Sequence, residues 1–450
     1  QHSGLGILID FCNFELAIMT TKPFSKSINA KIPIVFWLFF VIASFVYMVG
    51  TYQLSSEIPY LDDYDALINF LISVKKETSL IKKIELLFQQ HNEHRIVIPR
   101  LVVWAQYALT GEVNLRHTII FGNLMLVGIC YILIRFFLQK TLWTISFGSL
   151  LLLMNYLHFE NYQWALSSLQ NFGVLFFSLI SIVFVNQNKW RSAFFFSIVA
   201  ALAGATGMLL IVCYAGYYAM QRKYPVSILY LGTIVGFYFL FYSSGYQSTH
   251  QHPGFIYVLK NPIQLLQYYF SLVASYTSPF FRDTAVFAII CGIIIWGLNV
   301  ILTIRILVKD KKNLRVLLSI FLNLILISIA YTRFTFGLDQ AFASRYIVYS
   351  TILLLLTVHL LFSAVGREKT WAKWVLGTLF VLFCTFHSYR STIKYQPYVN
   401  GVHKHLNNTL CLYRQGKLPE LSYIGHHNPY QILQAAERLQ ILQFTDDSCK

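Results

Sequence analysis

Polar and apolar positions alternate in this chain in long blocks, and the short periods of soluble helices and strands are largely absent. Apolar runs of ~17–25 residues recur, the length an α-helix needs to cross a bilayer core. The runs fall at 33–54, 117–138, 142–157, 164–185, 192–206, 207–220, 225–243, 284–308, 314–331, 347–365 and 374–388. They predict an all-α polytopic membrane protein with about eleven transmembrane helices, because a helix satisfies its backbone polar groups internally. Two further apolar stretches, 96–109 and 263–279, are short for crossing and read as helices lying at the interface or re-entering it. Stretches 66–74 and 81–90 read as short amphipathic helices.

The basic residues orient these runs. Lys22, Lys26 and Lys31 precede the first, and Arg135, Lys189, Arg191, Arg222, Lys223, Lys309, Lys311, Lys312, Arg367 and Lys369 mark alternate turns. The positive-inside bias then places the N-terminus, 1–32, in the cytoplasm. Residues 33–388 form the transmembrane domain, with a large first extracytoplasmic loop at 55–116, and 389–450 form a small extracytoplasmic tail. Met19 opens a short basic leader, so 1–18 are expected to be upstream translation.

Composition agrees with this picture. The chain is 56% hydrophobic and 12% charged, against about 45–50% and about 25% for soluble domains. A net charge of +16 would point to nucleic acid in a soluble protein. Here the cations cluster at the ends of apolar runs, so nucleic acid is not an expected partner, whereas membrane lipids and an anionic lipid-linked substrate are. Cys130, Cys213, Cys291 and Cys384 lie inside apolar runs as small core residues. No metal-ligand spacing occurs among Cys and His, and no Gly-rich phosphate loop is present.

The charge that remains is concentrated in the first loop, between Glu57 and Arg100. Asp62, Asp63 and Asp65 stand just beyond the first run. Carboxylates this close raise one another's pKa, which suits a general base. Asp63 and Asp65 also form a DxD pair able to hold a divalent cation. The other reading is a solvated helix start whose acids offset the dipole. Further on, His91 shares a helical face with His94 or Arg95 by i,i+3 and i,i+4 spacing, and with Glu93 these residues read as a phosphate-holding and proton-relaying set or as snorkelling interfacial residues. Arg333 and Arg345-Tyr346 flank a late outer loop, against the positive-inside bias, and arginine's planar fork suits phosphate. Glu160 and Gln163 lie in a polar, aromatic outer turn able to hold a sugar or to form part of an aromatic belt.

A first span, an acid-opened outer loop with interfacial helices, and many further spans resemble the GT-C superfamily of integral membrane glycosyltransferases. The residues carrying the likeness are Asp62, Asp63, Asp65, the segment around His94 and Arg95, and Arg345-Tyr346. The resemblance implies a polyprenyl-phosphate-linked sugar as donor and a glycan or lipid-linked acceptor. It implies a first-loop acid, Asp62 or Asp63, as base in an inverting transfer, and Arg95, His94 or Arg345 on the donor phosphate. Asp65, Glu93, Glu160, Gln163, Arg333 and Tyr346 would line the substrate. No WWxxG motif of en bloc glycan transfer is present, so transfer of a single sugar is expected, as in bacterial enzymes that modify O-antigen and other surface glycans. No metal is assigned beyond the cation at Asp63 and Asp65. The rival expectations are a transporter or flippase for lipid-linked glycans, which needs charge inside the spans, and an O-antigen polymerase or ligase, which places its largest outer loop late.

Overall fold

The computed structural model describes residues 34–92, 94–138, 143–241, 254–281, 285–365, 370–417, 421 and 428–444. Among these residues the fold is all-helical, with no strand and a single isolated bridge between His91 and His94. Helix α1 (Ile34–Leu54) leads into the first loop, which carries α2 (Phe70–Lys76), α3 (Leu80–Leu87) and α4 (Val97–Thr110). Then come α5 (Leu115–Ile132), α6 (Trp143–Leu153), α7 (Ala165–Asn186), α8 (Trp190–Ala203), α9 (Met208–Met220) and α10 (Tyr224–Phe241). The short α11 (Phe255–Lys260), α12 (Pro262–Val273) and α13 (Ser278–Phe281) precede α14 (Ala285–Lys309), α15 (Leu314–Arg333) and α16 (Ile347–Ala364). A 45-residue helix, α17 (Thr370–Arg414), and α18 (Pro429–Arg438) complete the fold.

Six of the described helices are long and apolar enough to cross a membrane: α1, α5 with its π turn, α7, α14, α15 and α16 with their flanking turns. Helices α6, α8, α9 and α10 are apolar but shorter. The most apolar windows of α7 and α16 are 78% buried, whereas those of α1 and α14 are only 17% and 22% buried. The first pair therefore forms the centre of the bundle, and the second lies at its periphery with most of its apolar side chains exposed. Close approach is made by small residues, as expected where lipid supplies no hydrophobic drive between helices. A Cβ at Gly122 of α5 would meet the Ser168 side chain of α7 at 2.4 Å. A Cβ at Gly292 of α14 would meet the Phe270 carbonyl oxygen of α12 at 2.0 Å. Uncharged polar groups add bonds between helices: Asn299 donates to Thr357 Oγ1 (2.9 Å), and Ser319 and Asn323 both donate to Asn299 Oδ1 (2.6 and 3.1 Å).

Two expectations are corrected. The stretch 142–157 is not one continuous helix: α6 has 11 residues, about 16 Å of helix, and the chain then breaks at Asn155, whose side chain accepts from Leu157 N. Helix α17 runs unbroken through position 388 to Arg414. Its roughly 70 Å exceed the ~30 Å hydrocarbon core. The polar half stays helical because Leu406 and Leu410 share a face that packs on Ile58 of the first loop. Finally, His91 and His94 do not share a helical face. They exchange backbone hydrogen bonds (2.8 and 2.9 Å) across a tight turn, with Asn92 at φ +48° in the left-handed region that Asn tolerates.

The first loop has its own apolar core, including Tyr64, Leu67, Leu71 and Val97, shared with Trp164 and Leu166 at the start of α7 and with Leu433 and Ala436 of α18. Val113 N donates to Ile441 O at 2.7 Å. The first loop and the C-terminal segment thus lie on one side of the apolar helices.

Candidate functional site

The site begins where α1 ends. Glu57, almost buried, pairs with Arg116 (3.6 Å) and accepts from Asn114 (3.3 Å), which closes the loop base against the start of α5. A turn follows in which Asp63 N bonds Tyr60 O (3.1 Å) and Leu61 holds φ +48°, a left-handed conformation that costs a non-glycine residue about 1–2 kcal/mol. This turn sends the two adjacent acids in different directions.

Asp63 points inward and is 1% exposed. Its carboxylate accepts from Leu166 N (2.8 Å), Ala165 N (3.2 Å) and Tyr60 N (3.3 Å), so it caps the N-terminus of α7 from the first loop. Burial, helped by the Asp62 charge, outweighs these three bonds and pushes its pKa up to about 7. A divalent cation between Asp63 and Asp65 would have to draw these oxygens away from the cap. Among the described residues no group of three His, Cys, Asp or Glu is placed to hold a metal.

Asp62 remains accessible, with a third of its side chain exposed and His91 Nε2 at 3.9 Å. Its charge also acts on Arg345, which arrives from the turn before α16. Arg345 Nη1 donates to Glu160 Oε1 (3.1 Å). Glu160 Oε2 also accepts from Arg345 N (2.9 Å) and Ser344 Oγ (3.0 Å), and Glu160 N donates to Ser344 Oγ (2.9 Å). These bonds clamp the 156–162 turn to the 344–346 turn. The guanidinium lies over two rings, 5.2 Å from the centroid of Trp164 and 5.0 Å from that of Tyr346. About a fifth of each partner in the Arg345–Glu160 pair stays exposed, 21% and 20%, so the pair is open on one side.

Tyr60 stands edge-on to Trp164 at 6.3 Å and feels Tyr398, Glu160 and Arg345; burial first, then Tyr398 and Glu160, push its phenol up to about 12. Tyr268 of α12 is fully buried and feels Tyr346, Arg333 and Arg345, which brings Arg333 to the same quarter of the molecule. Beneath the 156–162 turn, burial and then the neighbouring His387 depress the His158 pKa to about 3, so this imidazole stays neutral.

The structure therefore brings Glu160, Arg345 and Tyr346 together with Asp62 near Arg345, while Arg333 lies over the Phe336 ring. Gln163 instead ties the turn to α17, its amide donating to Val399 O (2.7 Å). Arg95 donates to Phe88 O, and Arg100 is buried among the carbonyls of Ala66, Leu86, Leu87 and Gln89, so both hold the loop's own backbone. Asp65 is half-buried in the π turn Tyr64–Asn69, and His94 stays in the turn with His91. Glu93 lies outside the described residues. Tyr60, Ser344 and Tyr268 were not singled out from sequence, whereas Trp164 closes the polar, aromatic turn 160–164 that was. Of those three, only Ser344 carried a signal, as the residue next to Arg345.

Beside this cluster runs an apolar groove of about 380 Å³ between α1 and α6. Its walls include Val46, Thr51, Leu54 and Leu151, and its polar end is made by Asn155, Tyr156 and Tyr162 of the turn that carries Glu160. No family model, curated protein or solved structure matches this chain.

Proposed function

We propose that this protein is an integral membrane glycosyltransferase of GT-C type. It moves a single sugar from a polyprenyl-phosphate donor to a glycan or lipid-linked acceptor on the outer face of a bacterial inner membrane. The observation that carries the reading is the Arg345–Glu160 pair over the Trp164 and Tyr346 rings, with the Asp62 charge close enough to act on Arg345 and an apolar groove at the turn that carries Glu160. A lipid-linked sugar phosphate needs such a junction: a cation for phosphate, ring faces for sugar and an apolar trough for the chain.

In this reading Arg345 holds the donor phosphate on the open side of its fork, while Glu160 and the two rings fix its orientation. The acceptor hydroxyl oxygen attacks the anomeric carbon, and the bond from that carbon to the phosphate oxygen breaks. Polyprenyl phosphate leaves with the electron pair, and the configuration inverts. Asp62 takes the acceptor proton as general base and can pass it toward His91 or solvent. Asp63 is a positioning residue, since its oxygens are engaged by the α7 cap. The six long helices, the four shorter apolar ones and the membrane half of α17 make about eleven crossings. Cys411 is disulfide-bonded, which fits an oxidising compartment on the side of the first loop.

The test is sugar transfer from a polyprenyl-phosphate-linked hexose in reconstituted membranes. Asp62→Asn should lower the rate about 10²–10⁴-fold at normal protein levels. Transfer at the wild-type rate by Asp62→Asn would overturn the mechanism.

A further inference from the structure

A second groove, of about 190 Å³, runs between α9 and α15. Two i,i+4 rows wall it: Val212, Gly216 and Met220 of α9, and Val316, Ile320 and Leu324 of α15. Each row rises about 12 Å along its helix. Gly216 makes the hollow, since a Cβ there would meet nothing within 4 Å. The volume is below the ~300–1,000 Å³ of pockets for drug-sized molecules. A narrow apolar trough of this length suits one acyl chain lying along the helices.

One end of the groove is polar. Lys311 and Asn313 line it, and Tyr217 donates to Lys312 O (3.3 Å), fastening the last turn of α9 to the 310–313 turn. Asn313 Oδ1 accepts from Arg315 N (3.1 Å), so its amide hydrogens are the donors it offers here. The turns at 220–224 and 309–313 carry Arg222, Lys223, Lys309, Lys311 and Lys312 against one acid, Asp310. Asp310 Oδ1 is turned back onto Lys312 N (3.0 Å), and Lys223 lies over the Tyr218 ring. Lys311 is exposed, lines the groove and has no ion pair among the described residues.

The polar end lies away from the first loop. Gly204, just before α9, packs on Gln170 near the start of α7, and α7 starts at the Asp63 cap. Helix α9 runs from there to the opposite side of the bundle, and the positive-inside bias makes that side cytoplasmic.

We infer that this groove is an inner-leaflet site for one anionic phospholipid. An acyl chain lies in the trough over Gly216, and the headgroup phosphate meets Lys311 and the Asn313 amide. The net positive charge of the two turns, four after Asp310 is counted, selects an anionic headgroup over a zwitterionic one. This site does not depend on which reaction the outer side performs.

The experiment uses the full chain, purified in detergent and stripped of lipid, with phosphatidylglycerol or phosphatidylcholine of the same acyl chains added. Native mass spectrometry counts the lipids retained at each concentration. Wild type should retain a first phosphatidylglycerol at about fivefold lower concentration than phosphatidylcholine, and Lys311→Gln should bring the two together. Gly216→Leu, whose side chain enters the trough, should lose this first lipid whatever its headgroup. Gly232→Leu on α10, also with nothing within 4 Å of its Cβ but outside the groove, should keep it. Thermal midpoints of the lipid-free proteins check that each variant folds, and Lys311→Gln, a surface change, tests the site independently of Gly216. Retention by Gly216→Leu at the wild-type concentration, or equal loss in Gly232→Leu, would overturn the groove as the seat. Equal retention of the two lipids by wild type, or an unchanged preference in Lys311→Gln, would overturn the headgroup recognition.

Discussion

Asp62 and Asp63 are neighbours in sequence and opposites in environment. The left-handed Leu61 and the N–H groups opening α7 separate them. That divergence has a measurable consequence at Asp63. Its carboxyl ordinarily titrates near 3.8 and here is pushed up to about 7, by burial first. Between these values the native protein holds a proton that the unfolded chain has released. The unfolded state then binds fewer protons, so stability falls as pH rises. The contribution is complete below about pH 3.8, is lost through about pH 7 and is flat above. Thermal midpoints of wild type and Asp63→Asn in detergent should therefore differ by an amount that changes across this window and is constant above it. Parallel profiles would show that Asp63 does not titrate there. Sequence made the acid cluster visible, along with Arg345 and Glu160. It did not show which acid faces inward, because that depends on α7, which begins about a hundred residues later.

At the scale of elements, the apolar runs were legible because membrane helices are written in length and hydropathy. Their ends were less so. The break at Asn155 and the continuation of α17 through position 388 come from a side-chain cap and from packing on Ile58, neither of which changes the apolar pattern. The close approach of α12 and α14 likewise rests on a single residue. Gly292→Ala would set a Cβ 2.0 Å from the Phe270 carbonyl oxygen, and this backbone contact cannot yield as a flexible side chain would. The helices would have to separate, at a cost of about 1–3 kcal/mol. Gly297, on the same helix with nothing within 4 Å, is the control. Gly297→Ala should leave the thermal midpoint unchanged or raise it slightly, since alanine is the better helix former. Equal midpoints for the two variants would contradict the packing described for α12 and α14.

At the scale of the whole molecule, the first loop and the C-terminal segment share one apolar core, and the turns at 156–162 and 344–346 are clamped together beside it, at one side of a bundle of apolar helices. The general plan was legible in the sequence, since charge is scarce and what remains collects in a few turns. The clamp was not, because Glu160 and Arg345 are 185 positions apart and only the folded bundle makes them partners. The central claim is that this junction takes a lipid-linked phosphate at Arg345. Its most direct test is equilibrium binding of a polyprenyl monophosphate, against the matching polyprenol, to wild type, Arg345→Lys and Arg345→Ala in lipid nanodiscs. The account predicts that wild type binds the phosphate far better than the alcohol. Arg345→Ala should lose about 2–5 kcal/mol of phosphate binding, and Arg345→Lys should recover part of it. Phosphate binding by Arg345→Ala as tight as by wild type, or binding of the alcohol as tight as of the phosphate, would contradict it.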